Sequence, residues 1–341
     1  MIFAGVGLLL LVLTASLLLA PIEALGWWAG WFGEDEAPSL TDGEPEDGAR
    51  SYVVYLDGIA KAGHVNYQDV RGFLQRLQRA LPDAVVIGDL MPYSPARRDL
   101  TEGRPLAPFW RRLSALKLEG RRPALTFTIN ARNLLQVLVA SDRRYAALYG
   151  HAAANAMAAA LLERGYRPHS GVPVALIGYS GGTQVALVAA PFLRRRLGAP
   201  LSLVSLAGVM ADEPAMLAME RMLHVESRRD RIPRVGRLAF PGMWGVWPNS
   251  NHARLLRSGR YERVDPGPMK HNGPESYLDD EAFIGGRSHQ EVMTAVIARF
   301  LAAHAPDEPE VLASTEGIEG QLSGSRPRAR AGGRRNGLPS A

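Results

Sequence analysis

Cysteine is absent from this chain of 341 residues, which excludes disulfides, thiolate metal sites and a cysteine nucleophile. No H-E-x-x-H or similar clustered ligand spacing occurs, so neither a metal nor any other cofactor is expected. A phosphate-cradling glycine loop is missing too, because Gly5-Val6-Gly7 lies inside an apolar segment. Charge is missing in blocks. Met1 to Ile22 holds no charged side chain, and neither Lys nor Arg occurs before Arg50. The last seventeen residues hold five arginines and no acid. The net charge of +5 is therefore a sum of segregated pieces. No internal repeat is visible.

The uncharged start carries a leucine-rich run from Leu8 to Leu13 and is long enough to span a bilayer as a helix. Trp27, Trp28, Trp31 and Phe32 follow, as an interfacial aromatic belt would. It lacks the basic start of a cleaved signal peptide. Residues 1–32 are thus expected to form an uncleaved, single-pass transmembrane anchor that meets membrane lipid. Its orientation is open, since no flanking Lys or Arg can be counted. Residues 33–50 hold seven acids and two prolines and read as a flexible acidic linker. Residues 305–341 lose all pattern and read as a disordered basic tail, with no nucleic-acid partner expected.

Between them, residues 51–304 alternate strand-like and helical runs, the signature of an α/β domain with a mostly parallel sheet flanked by helices. Strands are expected at Tyr52–Leu56, Ala84–Ile87, Val172–Ile177, Leu201–Leu206, Met222–Val225 and Tyr261–Val264. Val70, Phe73, Leu74, Leu77 and Leu81 recur at helical spacing within Tyr67–Leu81. Asp142–Gly165 reads as an alanine-rich helix, and Glu291–Ala302 as the last one.

Gly178-Tyr179-Ser180-Gly181-Gly182 sits between an apolar strand and the helical run that starts at Thr183. A G-x-S-x-G in that context is a nucleophile elbow. The turn lifts the Ser180 hydroxyl out of the sheet, and the following N–H, that of Gly181, points at a developing oxyanion. The GDSGG of trypsin-like proteases is similar, but it lies in an antiparallel barrel with its acid and base upstream. Here the flanks are helical and the acid and base candidates lie downstream.

With this elbow and the strand pattern, the chain resembles the α/β-hydrolase superfamily across residues 51–304. The resemblance implies a serine hydrolase in which nucleophile, acid and histidine follow one another along the chain. It implies an acid loop of the form G-x-x-D-x-x-V-P, which Ser227-Arg228-Arg229-Asp230-Arg231-Ile232-Pro233 matches from Asp230 onward, Ser227 standing in place of the glycine. Asp230 is therefore the expected acid, with Asp212 and Glu213 in reserve. Two histidines compete for the base. His271 follows the last strand, where family members carry theirs; His289 directly precedes the final helix, where Ser288-His289 also makes an ordinary helix start. His271 is the choice. The second oxyanion donor is implied to be the N–H of Ile59, in Asp57-Gly58-Ile59 after the first strand. Asp57 replaces a histidine common there, and a carboxylate so placed opposes an oxyanion unless it is turned away or paired.

Two insertions carry candidate substrate-contacting residues. Met91–Ser141 holds Phe109, Trp110 and the run Leu134–Ala140; Arg234–Arg260 holds Phe240, Met243, Trp244 and Trp247. Together with an anchor these suggest a small-molecule or lipid-like carboxylic ester as substrate. A non-catalytic member of the same fold, acting as a binding or scaffold protein at the membrane, is the alternative.

Overall fold

Several strands of this chain are apolar at consecutive positions, so each needs cover on both faces of its sheet. The computed structural model describes residues 49–60, 68–93, 107–118 and 123–303, with Gly7, Leu11 and Thr14 besides. They belong to one compact unit, Met1–Ala305. Six strands make its sheet: β1 (Ser51–Leu56), β2 (Ala84–Ile87), β3 (Val174–Tyr179), β4 (Leu201–Leu206), β5 (Arg221–Val225) and β6 (Tyr261–Val264). All pair in parallel, in the order β2-β1-β3-β4-β5-β6. The register sets Val54 beside Leu176 and Ile177 beside Val204.

Side chains alternate across this sheet and fill two cores. Tyr52, Val54, Leu56, Val174 and Leu176 enter one core; Val53, Tyr55, Ala175, Ile177 and Tyr179 enter the other. The first is covered by α4 (Ala146–Glu163) and α5 (Gly182–Leu197), which pack on each other. The second is covered by α1 (Gln68–Ala80) and α8 (His289–Ala302), with Phe73, Leu77, Met293 and Ile297 buried between. The expected α/β architecture with a mostly parallel sheet is thus observed. Strand β3 runs further than its apolar letters suggested, through Gly178 and Tyr179.

The two insertions are helical. The first holds α2 (Ala107–Leu118) and α3 (Pro123–Ser141); the second holds α6 (Ile232–Ala239) and α7 (Asn251–Arg257). Among the described residues no helix is long and apolar enough to cross a membrane. The expected anchor lies outside the described residues apart from Gly7, Leu11 and Thr14; so do residues 33–48 of the linker and the whole tail.

Strand order reverses between β1 and β3, which open outward to either side. In open parallel sheets the crevice at the carboxyl ends of such a switch point is where ligands bind. Near that edge a buried ion network ties four elements. Glu226, just past β5, accepts from Arg237 Nη2 of α6 at 2.9 Å and from Arg263 Nη2 of β6 at 2.9 Å. His224 Nε2 lies 3.2 Å from the same carboxylate, and its Nδ1 lies 2.8 Å from Ser205 Oγ of β4. Burial alone would raise the Glu226 pKa, but the bonds from His224 and Arg237 outweigh it and hold it at about 2.

A folded-state pKa below the ordinary 4.5 means this stabilisation is complete above pH 4.5 and is lost as pH falls towards 2. Urea unfolding followed from pH 7 to pH 3 should show that loss, and Glu226→Gln should flatten it. At neutral pH the same change should cost stability at the low end of about 3–5 kcal/mol, because both arginines reach solvent.

Candidate active site

Ser180 leaves β3 at φ 52°, in the left-handed region that side-chain-bearing residues rarely enter. Its neighbours make the bend possible. A Cβ on Gly178 would stand 2.4 Å from Thr183 Cα, and one on Gly182 would stand 2.4 Å from the Leu56 carbonyl oxygen. Both positions therefore require glycine. The strained turn is held by Ser180 N–H donating to Leu206 O at 2.9 Å and by Val209 N–H donating to Ser180 O at 3.1 Å.

The structure brings the three expected polar residues together. His271 Nε2 lies 2.8 Å from Ser180 Oγ, and His271 Nδ1 lies 2.7 Å from Asp230 Oδ2. All three are drawn from separate loops at the carboxyl ends of β3, β5 and β6. Asp230 is buried, and its second oxygen accepts from Ile232 N–H at 2.9 Å. An aspartate so placed fixes the imidazole tautomer and stabilises imidazolium, while Nε2 is positioned to take the Ser180 proton.

The competing candidates are occupied elsewhere. His289 is buried with Nδ1 2.7 Å from Ser276 O, at the start of α8. Ser288 caps that helix in a reciprocal capping box with Glu291, so Ser288-His289 is a helix start. Asp212 accepts from His252 N–H at 2.7 Å, and Glu213 accepts from Gln184 Nε2 at 3.1 Å.

Ser227, the departure from the glycine of the acid loop, is the latch that joins that loop to the histidine loop. Its Oγ donates to Gly267 O at 2.7 Å and accepts from Met269 N–H at 2.9 Å and Arg229 N–H at 3.1 Å. Its own N–H donates to Tyr277 Oη at 2.8 Å. Tyr179, inside the elbow motif, adds a second tie: its hydroxyl donates to the His271 carbonyl, and its ring stacks on the imidazole at 5.7 Å. Burial, then the charge of Asp57, pushes the Tyr179 pKa far above the ordinary phenol value, so the donor keeps its proton.

Ile59 and Gly181 line the same turn. A Cβ on Gly181 would stand 3.0 Å from Ile59 Cγ2 and 2.7 Å from Val137 Cγ2 of α3. Among the described residues neither the Ile59 nor the Gly181 N–H donates to a protein acceptor. Asp57 is turned back and paired: Oδ1 accepts from its neighbour Gly58 N–H at 2.7 Å and from Tyr55 Oη at 3.1 Å. The loop is then fastened at three of its carbonyls, those of Asp57, Ile59 and Ala60, by residues outside the motif. Tyr93 Oη donates to Asp57 O at 2.8 Å, Asn133 Nδ2 to Ile59 O at 2.8 Å, and Lys117 Nζ to Ala60 O at 2.7 Å. Burial draws the Lys117 pKa down to about 8 against the opposing pull of Asp57.

Sequence reading missed Tyr179, Ser227, Asn133 and Lys117. The signal available for Asn133 was polarity inside an apolar run: Asn130, Arg132, Asn133 and Gln136 interrupt α3. Ser180 itself is only 5% exposed beneath this insertion. Of the expected substrate contacts, Trp110, Val137, Ala140 and Met243 are buried, whereas Leu134, Leu138, Trp244 and Trp247 are exposed. The Phe109 side chain lies outside the described residues.

Ser227→Ala would remove three hydrogen bonds and leave the Met269 N–H only its bond to Gly267 O. Urea unfolding should report a loss of roughly 2–4 kcal/mol with an unchanged slope. No known protein-family model matches this chain, and no curated protein matches it in sequence.

Proposed function

We propose that this chain is a serine hydrolase of the α/β-hydrolase superfamily that cleaves carboxylic esters. The observation that carries the reading is the unbroken sequence of hydrogen bonds from Asp230 through His271 to a Ser180 held at positive φ. The strand order supports it, since Ser180 and the Ile59 loop flank the switch point between β1 and β3. So does the pair of uncommitted N–H groups on Ile59 and Gly181.

The chemistry follows from the geometry. Ser180 Oγ attacks the ester carbonyl as His271 Nε2 takes its proton, and the C=O becomes an oxyanion facing the two N–H groups. The intermediate collapses, the C–O bond to the alcohol breaks, and His271 returns the proton to the departing alcohol. Water then repeats the cycle on the acyl-serine and releases the acid and the free hydroxyl. No cofactor enters this scheme. We place the enzyme at a membrane on the strength of its uncharged apolar start and the tryptophans that follow.

A non-catalytic binding or scaffold protein is the second reading, favoured by the low exposure of Ser180. Covalent labelling by a fluorophosphonate separates the two, because only an activated serine reacts rapidly. Labelling and hydrolysis of a p-nitrophenyl ester should both vanish in Ser180→Ala, and persistence of either would remove Ser180 from the mechanism. Asp230→Asn should lower kcat by about four orders of magnitude, with the fold intact. Asn133 is a positioning residue, so Asn133→Ala should lower kcat about tenfold while KM moves little, the split expected of a transition-state contact held less firmly.

A further inference from the structure

Two helices beside the Ser180 site show solvent the side chains that helices ordinarily hide. In α3 the buried residues include Arg132, Asn133 and Gln136, while Phe127, Leu134 and Leu138 face outward, Phe127 at 55% exposure. Spacings of seven and four residues put those three on one stripe. In α6, Ile232, Val235 and Leu238 recur every third residue and are exposed, Val235 at 59% and Leu238 at 70%. Pro233 and Gly236, on the opposite side, are buried. Trp244, Val246 and Trp247 extend the exposed surface beyond α6. Single exposed apolar residues need no explanation, but contiguous stripes mark an interaction surface.

Both stripes adjoin the chemistry. The insertions leave the carboxyl ends of β2 and β5, the sheet edge on which Ser180 stands. Val137 of α3 lies over Gly181, and α6 begins on the bond from Ile232 N–H to Asp230. The charge of the second insertion is one-sided: residues 231–260 contain six arginines and no acid. Arg231 and Arg234 are exposed along α6, and Arg228 and Arg229 precede them, paired with Asp265 and Glu275. An exposed apolar stripe edged by arginine and followed by tryptophan is the composition of a helix that lies in a membrane interface. The arginines match an anionic headgroup layer, and they would repel their own copies across a twofold axis.

We infer that α6, the segment through Trp247 and the outer stripe of α3 form a docking surface for an anionic bilayer. Docking lays the mouth of the Ser180 site against lipid, so the ester enters from the membrane; that last step rests on the hydrolase reading, whereas docking does not.

The absence of cysteine makes the test direct. Full-length Val235→Cys, labelled with an environment-sensitive fluorophore and reconstituted into vesicles, carries a single reporter. Arg79→Cys, at the exposed end of α1, serves as the control. With phosphatidylglycerol in phosphatidylcholine vesicles, the label at position 235 should shift to the blue. Spin-labelled lipid should quench it several-fold more than the label at position 79. Pure phosphatidylcholine should give little of either. A water-like signal at position 235 in anionic vesicles overturns the inference, as does equal insertion into zwitterionic ones. A blue shift that grows with protein concentration in lipid-free micelles would assign the surface to a second copy of the chain and overturn it too. A lipid signal from a chain that fails to react with fluorophosphonate supports docking and removes the hydrolase reading.

Discussion

The Asp230 carboxylate holds two structures at once. One oxygen orients the imidazole of His271, and the other accepts the first free N–H of α6. A helix start offers unsatisfied N–H groups, and the aspartate satisfies one of them. The charge that the imidazole needs is therefore supplied by a group the helix also needs. Ser227 extends this economy by spanning the acid loop and the histidine loop with one hydroxyl. Histidine position is thus fixed from three directions: Asp230 at the ring, Tyr179 at the carbonyl, and Ser227 through the backbone just before it.

The loop we propose for the oxyanion side is built by opposite means. Few side chains of the Asp57-Gly58-Ile59 segment reach outward to fix it; its carbonyls are gripped instead by Tyr93, Asn133 and Lys117. Holding three of its carbonyls fixes the backbone of this loop and leaves the Ile59 N–H without a protein acceptor, as the proposed role of a preorganised donor requires. Asp57 would oppose an oxyanion if it pointed the same way. Its bonds to Gly58 N–H and Tyr55 turn it into a brace for the loop. Burial, together with that carboxylate's charge, raises the pKa of Tyr55 and Tyr93 far above the phenol range, so both hydroxyls stay donors.

Sequence was a good guide wherever one residue type has one reason to be in place. Consecutive β-branched and leucine runs marked β1, β3 and β4 as strands buried on both faces, and all six expected strands occur close to where they were read. Gly178 and Gly182 marked the elbow because no other side chain fits. Asp230 and His271 could be chosen through their positions after strands, although nothing local to them distinguished His271 from His289. The residues that stayed hidden act over long separations. Asn133 reaches Ile59 across 74 positions and Ser227 reaches Met269 across 42. A hydroxyl or amide shows no periodicity, so its partner is invisible until the chain folds. The β3 boundary slipped for a related reason: Gly178 and Tyr179 extend by sheet pairing, against the turn tendency of glycine.

The inverted polarity of α3 joins these threads. Burying Arg132, Asn133 and Gln136 is unfavourable unless each finds partners: Arg132 Nη1 donates to Tyr93 O and to Asn133 Oδ1, the latter at 3.1 Å, and Asn133 in turn donates to Ile59 O. The inner face of the helix is therefore mixed: Ile129, Val137 and Ala140 enter the apolar core beside the polar residues that grip the loop. Once its polar residues are committed inward, helical periodicity sends Phe127, Leu134 and Leu138 to the outside. In water that arrangement forgoes the usual gain from apolar burial, about 25 cal/mol for each Å² left exposed. Against a lipid surface the deficit disappears, because the same stripe then meets an apolar phase. On the docking proposal one helix holds the loop after β1 with one face and meets the membrane with the other, so the two demands fall on opposite halves of a single sequence.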